Sequence, residues 1–184
     1  MFQLFRVLSL SALLLTFVGL SPARGEEKEL AVGDDAPAFE MSGSDGENYK
    51  LEDFRDQKVV VIAWFPKAFT GGCTAECKSM KANSDAIRKF DVAYFTASCD
   101  EPDQNKKFAE SLELDFPILS DPLKDVAKAY GVVHPGREVP ERWTFYIGLD
   151  GKLMAIDKEV KAATHGEDVA KRLAELMVAE KKAE

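Results

Sequence analysis

The segment Phe65-Pro66-Lys67-Ala68-Phe69-Thr70-Gly71-Gly72-Cys73-Thr74-Ala75-Glu76-Cys77 concentrates the side chains that could do chemistry. An apolar run ends at Phe65, a turn follows, and Cys73 stands where a helical pattern begins. The thiolate, rather than the thiol, is the nucleophilic form of cysteine. Free N–H groups and the positive dipole end at a helix N-terminus stabilise that anion and lower its pKa below the usual ~8.5. Gly71 and Gly72 carry no Cβ, so backbone can approach whatever the sulfur attacks. The Thr70 hydroxyl can enter the same pocket. A lone cysteine is otherwise a small buried hydrophobe. Strand end, double glycine and helix start together make Cys73 a nucleophile. Cys99 closes a second apolar run beside Asp100 and reads as a strand-end thiol without a redox role; a second resolving thiol is the alternative. His134 and His165 fall in turn-like segments and read as surface residues rather than ligands.

The elements that must position these residues are legible as periodicities. Ala36 to Met41 and Asn48 to Leu51 alternate around the Gly43-Ser44-Asp45-Gly46 turn cluster, which predicts a hairpin. Val59 to Phe65 is apolar throughout and predicts a central strand buried on both faces, as does Val92 to Ser98. Between them Thr74 to Phe90 carries a helical pattern with Met80, Ala86, Ile87 and Phe90 inward. Pro102 starts a helix that includes Phe108, Leu112 and Leu114, and Ile118-Leu119 belongs to a short strand. A short helix from Val126 to Tyr130 stops at Gly131. Trp143 to Leu149 and Leu153 to Asp157 flank Asp150-Gly151, a pair that suits a type I′ turn. A last helix runs from about Glu167 to Lys181, with Val169, Leu173, Leu176 and Met177 on one face. Alternating strands and helices followed by an antiparallel pair predict an α/β domain with a mixed central sheet flanked by helices.

Composition narrows the class. The 184 residues are 46% hydrophobic and 30% charged, which excludes collagen-like, mucin-like and disordered chains. A net charge of −8 repels phosphate backbones and argues against nucleic-acid binding. Residues 1–25 stand apart, with Arg6 and Arg24 as their charged side chains around an apolar run from Val7 to Leu20. That run is shorter than the ~20 residues a bilayer span needs. A basic start, an apolar middle and small residues at Ala23 and Gly25 read as a cleavable secretory signal. Its removal takes away two positive charges, from −8 to −10. Residues 26–184 are then an exported domain, periplasmic or secreted, with no stable membrane association after cleavage; an uncleaved membrane anchor is the alternative reading of residues 1–25. Three cysteines are too few to staple a scaffold.

Pro66-x-x-x-Thr70-x-x-Cys73 resembles the active-site signature of peroxiredoxins, and its surroundings look like the Q-type, or bacterioferritin comigratory protein, branch. The resemblance begins at Val32-Gly33-Asp34-Asp35-Ala36-Pro37-Ala38-Phe39 and includes Phe116 to Asp121 and Ala129 to Val132. It continues through Arg142 to Ile147 and Asp150 to Lys152. It implies a thioredoxin-like fold and thiol-dependent reduction of hydrogen peroxide or organic hydroperoxides without cofactor or metal. A thioredoxin-like dithiol protein is the implied reductant, and the chain acts as monomer or dimer. By the same resemblance Cys73 is the peroxidatic cysteine, with Thr70 and Arg142 as partners and Pro66 shielding the pocket. Breaking an O–O bond develops negative charge on both oxygens, so fixed donors there lower the barrier. Thr70 and the Cys73 N–H could donate, and the Arg142 guanidinium could support thiolate and peroxide together. Glu76 matches a family glutamate three residues past the nucleophile, where it could orient an arginine or, equally, complement the positive end of the helix dipole.

The chain departs from that pattern twice. Gly71 stands where the family commonly has proline. Cys77 stands four residues after Cys73, where Q-type proteins often place a resolving cysteine at five. Residues i and i+4 of a helix have Cβ atoms ~5–6 Å apart, whereas a disulfide wants ~3.5–4.5 Å. The first turn must therefore loosen before Cys77 can condense with oxidised Cys73. Two other functions remain open on sequence. Cys-x-x-x-Cys at a helix start also holds Cu(I) in Sco-type copper chaperones, where His165 could complete the set. General thiol–disulfide oxidoreductases use Cys-x-x-Cys, which is absent here.

Overall fold

The computed structural model describes residues 29–181; the predicted leader at 1–25 lies outside the described residues. Seven strands form one mixed sheet. They are β1 (Glu40–Gly43), β2 (Asn48–Lys50), β3 (Val59–Trp64), β4 (Val92–Ser98), β5 (Ile118–Ser120), β6 (Thr144–Ile147) and β7 (Leu153–Asp157), in the spatial order β2-β1-β5-β4-β3-β6-β7. The central strand β3 runs parallel to β4 and antiparallel to β6. All six of its residues are buried, as their unbroken apolar character requires.

Pleating divides those side chains between two cores. Val60, Ile62 and Trp64 point to one face, where Phe95, Phe145 and Tyr130 join them. Val59 and Val61 point to the other, against Met80, Ile87, Tyr146, Val169 and Leu173. Helices α1 (Gly71–Ala82), α2 (Ser84–Arg88), α3 (Pro102–Leu112) and α5 (His165–Glu175) cover this second face, and α4 (Asp125–Ala129) covers the first. Both faces are thus occupied, as expected for a βαβ-based sheet.

The structure departs from the sequence reading at several places, among them the first strand, expected over Ala36 to Met41 and found at Glu40–Gly43. The predicted helix over 74–90 begins earlier, at Gly71, and breaks at Asn83, whose side-chain amide donates to the Ser79 carbonyl at 2.9 Å. The hairpin at Asp150-Gly151 is not a type I′ turn. Gly151 is left-handed (φ 77) but Asp150 is not, and Gly151 N–H donates to Gly148 O. One left-handed glycine is the signature of a longer, bulged connection. The last helix starts at His165 and stops at Glu175. Met177, expected on its inner face, is left-handed and 88% exposed. The chain turns there to run back beside Phe90, with Asp91 N–H donating to Ala179 O and Lys181 N–H to Lys89 O.

Candidate active site

Cys73 is the third residue of α1, and its side chain is buried in the first turn. The loop that delivers it leaves β3 at Phe65, and Pro66 is half-buried beside it. Asp100 fastens this loop. One carboxylate oxygen accepts from Ala68 N–H at 2.7 Å and Ser98 Oγ at 3.0 Å, the other from Gln104 Nε2 at 2.9 Å. Phe69 takes a left-handed conformation (φ 62), a strained choice outside glycine, and lays its ring 4.9 Å from Phe108. The Asp100 carboxylate and the Phe69–Phe108 ring contact thus help hold the loop against the strain at Phe69.

Thr70 is the residue before α1, in extended conformation. Its hydroxyl donates to the Lys67 carbonyl at 3.0 Å. That proton is committed within the loop, which leaves the Thr70 oxygen as an acceptor. Of the two glycines, Gly72 is under constraint: a Cβ there would come 3.2 Å from Arg142 Nη2. At Gly71 the space is open.

Arg142, just before β6, reaches over the cysteine. Its Nη2 lies 3.4 Å from Cys73 Sγ, and its Nη1 pairs with Glu76 Oε2. Glu76, one turn along α1 from Cys73, is fully buried. A buried carboxylate is tolerated when paired, and here the partner is the guanidinium. The fork geometry of arginine lets one group hold Glu76 and the sulfur at once.

His165 overturns the surface assignment. It is 2% exposed, with Nδ1 2.9 Å from Glu76 Oε1 and Nε2 2.8 Å from Thr144 Oγ1. Burial pushes its pKa down to about 4, so the ring is neutral at neutral pH. The physical reason lies next door, at Gly166. A Cβ there would sit 2.2 Å from the Ser79 carbonyl, so only glycine lets the first turn of α5 rest on α1 and sink His165 between them. The Gly166 N–H donates to Ser79 Oγ at 3.1 Å. A His-Gly pair at a helix start was the available sequence signal. His134 does lie at the surface, near Glu141.

Cys77 is as buried as Cys73 and belongs with it to an apolar cluster that includes Phe108 and Ile118. Burial, reinforced by the neighbouring Cys73, pushes its thiol up to about 12, and Thr96 offsets only part of this. Cys99 is half-buried, pushed up to about 12 by burial and then by Asp121, and packs against the opposite core. All three thiols are free. A cavity of about 650 Å³ lined by Leu30, Tyr130, Trp143, Phe145 and Ile156 lies on the α4 face and holds none of Cys73, Glu76 or Arg142. Size does not locate the chemistry; charge does.

The AhpC/TSA family profile matches residues 32–156. The chain belongs to the AhpC/TSA family. Within it the chain is similar to Peroxiredoxin Bcp of Escherichia coli, 34% identical over 152 residues, covering 79% of this chain and 97% of that one. Peroxiredoxin Bcp of Bacillus subtilis is 31% identical over 142 residues, covering 74% and 90%. Among solved structures, Peroxidoxin BcpB of Mycobacterium tuberculosis superposes with a TM-score of 0.71 at 26% identity, over 78% of this chain and 96% of that one. PrxQ of Xylella fastidiosa does so at 0.74 with 21% identity, over 80% and 98%. The fold of this AhpC/TSA chain is therefore thioredoxin-like, as the Q-type resemblance implies, with an added N-terminal hairpin. For a Sco-type copper site the arginine is the obstacle, since a permanent cation faces the sulfur that would bind Cu(I).

Proposed function

We propose that this chain is a thiol peroxidase of the bacterioferritin comigratory type, with Cys73 as its peroxide-reactive residue. The observation that carries this reading is the Arg142 guanidinium, 3.4 Å from the Cys73 sulfur at the start of a helix. The thiolate attacks one peroxide oxygen, an S–O bond forms and the O–O bond breaks, leaving a sulfenic acid and a hydroxide or alkoxide, which takes a proton from solvent to become water or alcohol. Arg142 Nη2 and the first-turn N–H groups face the charge that develops on the oxygens. Thr70 accepts the peroxide hydrogen, and Pro66 and Phe69 border the approach.

Cys77 then attacks the Cys73 sulfur, expelling water and forming a disulfide, and an external dithiol protein restores both thiols by exchange. Both cysteines lie within the continuous helix Gly71–Ala82, so its first turn unwinds in this step. The strained Phe69 and the open space around Gly71 support that opening. Cys99, packed on the other core, takes no part. Peptide mapping after one equivalent of peroxide should find a Cys73–Cys77 bond; a Cys73–Cys99 bond would overturn the pairing. The enzyme acts after export, on the strength of the leader read from residues 1–25. N-terminal sequencing of the protein from its native host should begin at Glu26, and a retained Met1 would refute export by cleavage.

A further inference from the structure

His165 is a buried titratable side chain that the peroxide chemistry above does not use. It closes a chain of contacts that runs Thr144–His165–Glu76–Arg142–Cys73 across β6, α5 and α1. Glu76 has two oxygens and no exposure. Oε2 takes Arg142 Nη1, and Oε1 has His165 Nδ1 at 2.9 Å, close but out of line, with neither atom otherwise hydrogen-bonded. A buried carboxylate oxygen without a donor is costly, so a small ring rotation that aligns this pair is downhill. The neutral ring carries one proton. Facing an acceptor-only carboxylate, that proton belongs on Nδ1, and Nε2 then accepts from the Thr144 hydroxyl at 2.8 Å.

A carboxylate left free beside a guanidinium favours the two-pronged geometry that uses both Nη groups. That arrangement would withdraw Arg142 Nη2 from the sulfur. We propose that His165 is a positioning residue: by occupying Glu76 Oε1 it restricts the carboxylate to Arg142 Nη1, leaving Nη2 for the Cys73 sulfur and the peroxide. The start of α5 is pinned on α1 through Gly166, so the ring cannot drift from its place. This rests on Cys73 being the reactive thiol.

The test measures two quantities on the full chain: the rate constant for Cys73 oxidation by hydrogen peroxide, and the pH midpoint of Cys73 thiolate ultraviolet absorbance. His165→Gln, which cannot place its amide at the Nδ1 position, should slow oxidation about tenfold and raise the thiolate midpoint. His165→Asn can place an N–H there and should stay within about threefold of wild type. Unchanged rate and midpoint in His165→Gln would overturn the proposal, as would equal losses in the Asn and Gln variants, which mark a packing role. Should His165→Gln not fold, Thr144→Val loosens the ring without removing it and must shift the midpoint the same way; no shift overturns the proposal. If wild-type Cys73 itself failed to react with peroxide, the peroxidase reading would fall instead, a result distinct from both.

Discussion

Cys73 and Cys77 sit one helical turn apart on the same face of the same helix and are equally hidden from water. Their surroundings differ in one respect. Both lie in the apolar cluster with Phe108 and Ile118, but Cys73 also has the Arg142 guanidinium at 3.4 Å, whereas burial pushes the Cys77 thiol up to about 12. The contrast teaches that burial by itself makes a thiol inert; it becomes compatible with nucleophilic chemistry only when a fixed positive charge replaces the lost water. The two cysteines can then divide the work. On the proposed mechanism Cys73 attacks peroxide, and Cys77 stays a buried thiol until the helix opens and returns it to solvent.

The sharpest way to break this comparison is to remove one thiol at a time. Cys73→Ser should abolish peroxide consumption with a dithiol reductant. Cys77→Ser should leave a single burst and stop dithiol-coupled turnover. Retained steady turnover in Cys73→Ser would move the reactive centre elsewhere. Removing the charge that separates the two sites should cost less: Arg142→Leu should lower kcat/KM about a hundredfold, or ~3 kcal/mol of transition-state stabilisation. Arg142→Lys should recover only part, because a point charge cannot hold Glu76 and the sulfur together.

Titration sharpens the comparison from the other side. The folded-state pKa of Cys77 lies above its ordinary value of 9.0, at about 12. The stability from burying it as a thiol is thus present below pH 9 and is lost as pH rises towards 12. Across that window wild type should lose up to about 1.4 kcal/mol per pH unit more than Cys77→Ser, by chemical denaturation. Near pH 8 an alkylating reagent should label Cys73 and spare Cys77 and Cys99 in the folded protein. Equal labelling of Cys73 and Cys77 would erase the distinction.

The smallest effect concerns the start of the helix that carries both thiols. Gly71 is the first residue of α1, has open space around it and lacks a left-handed φ. Proline fits such a position. Gly71→Pro should stabilise the fold by about 0.4–1 kcal/mol in thermal melts. It should also slow formation of the Cys73–Cys77 bond while leaving the first oxidation step unchanged.

How much of this was legible in sequence depends on the range of the interaction involved. The seven strands were readable because alternation and apolar runs report a pleat or a doubly covered strand within a few residues. Helix ends were less so. The break at Asn83 and the stop at Glu175 are imposed by packing: α2 turns to cover the sheet, and the chain after Met177 turns to run back beside Phe90. In the site, Pro66, Thr70 and Cys73 form a local cluster, and Arg142 came with the family pattern. Asp100, Thr144 and His165 did not, because each acts on a residue far away in the chain and has an ordinary local reading.

The register of the sheet shows the same division. Ala63 pairs with Thr96 on one side and Thr144 on the other, placing two hydroxyls in one row beneath α1. Thr96 meets Cys77 and Thr144 meets His165. Nothing in either strand's apolar pattern announces that row. By itself, then, the sequence determined the proposed nucleophile's place at a helix start and the order of the elements, since these depend on turn chemistry and side-chain period over short spans. Only the tertiary structure decided that His165 sits behind that nucleophile's arginine, against Glu76. That outcome hangs on how closely two helices approach, and here the approach is set by the missing Cβ of Gly166.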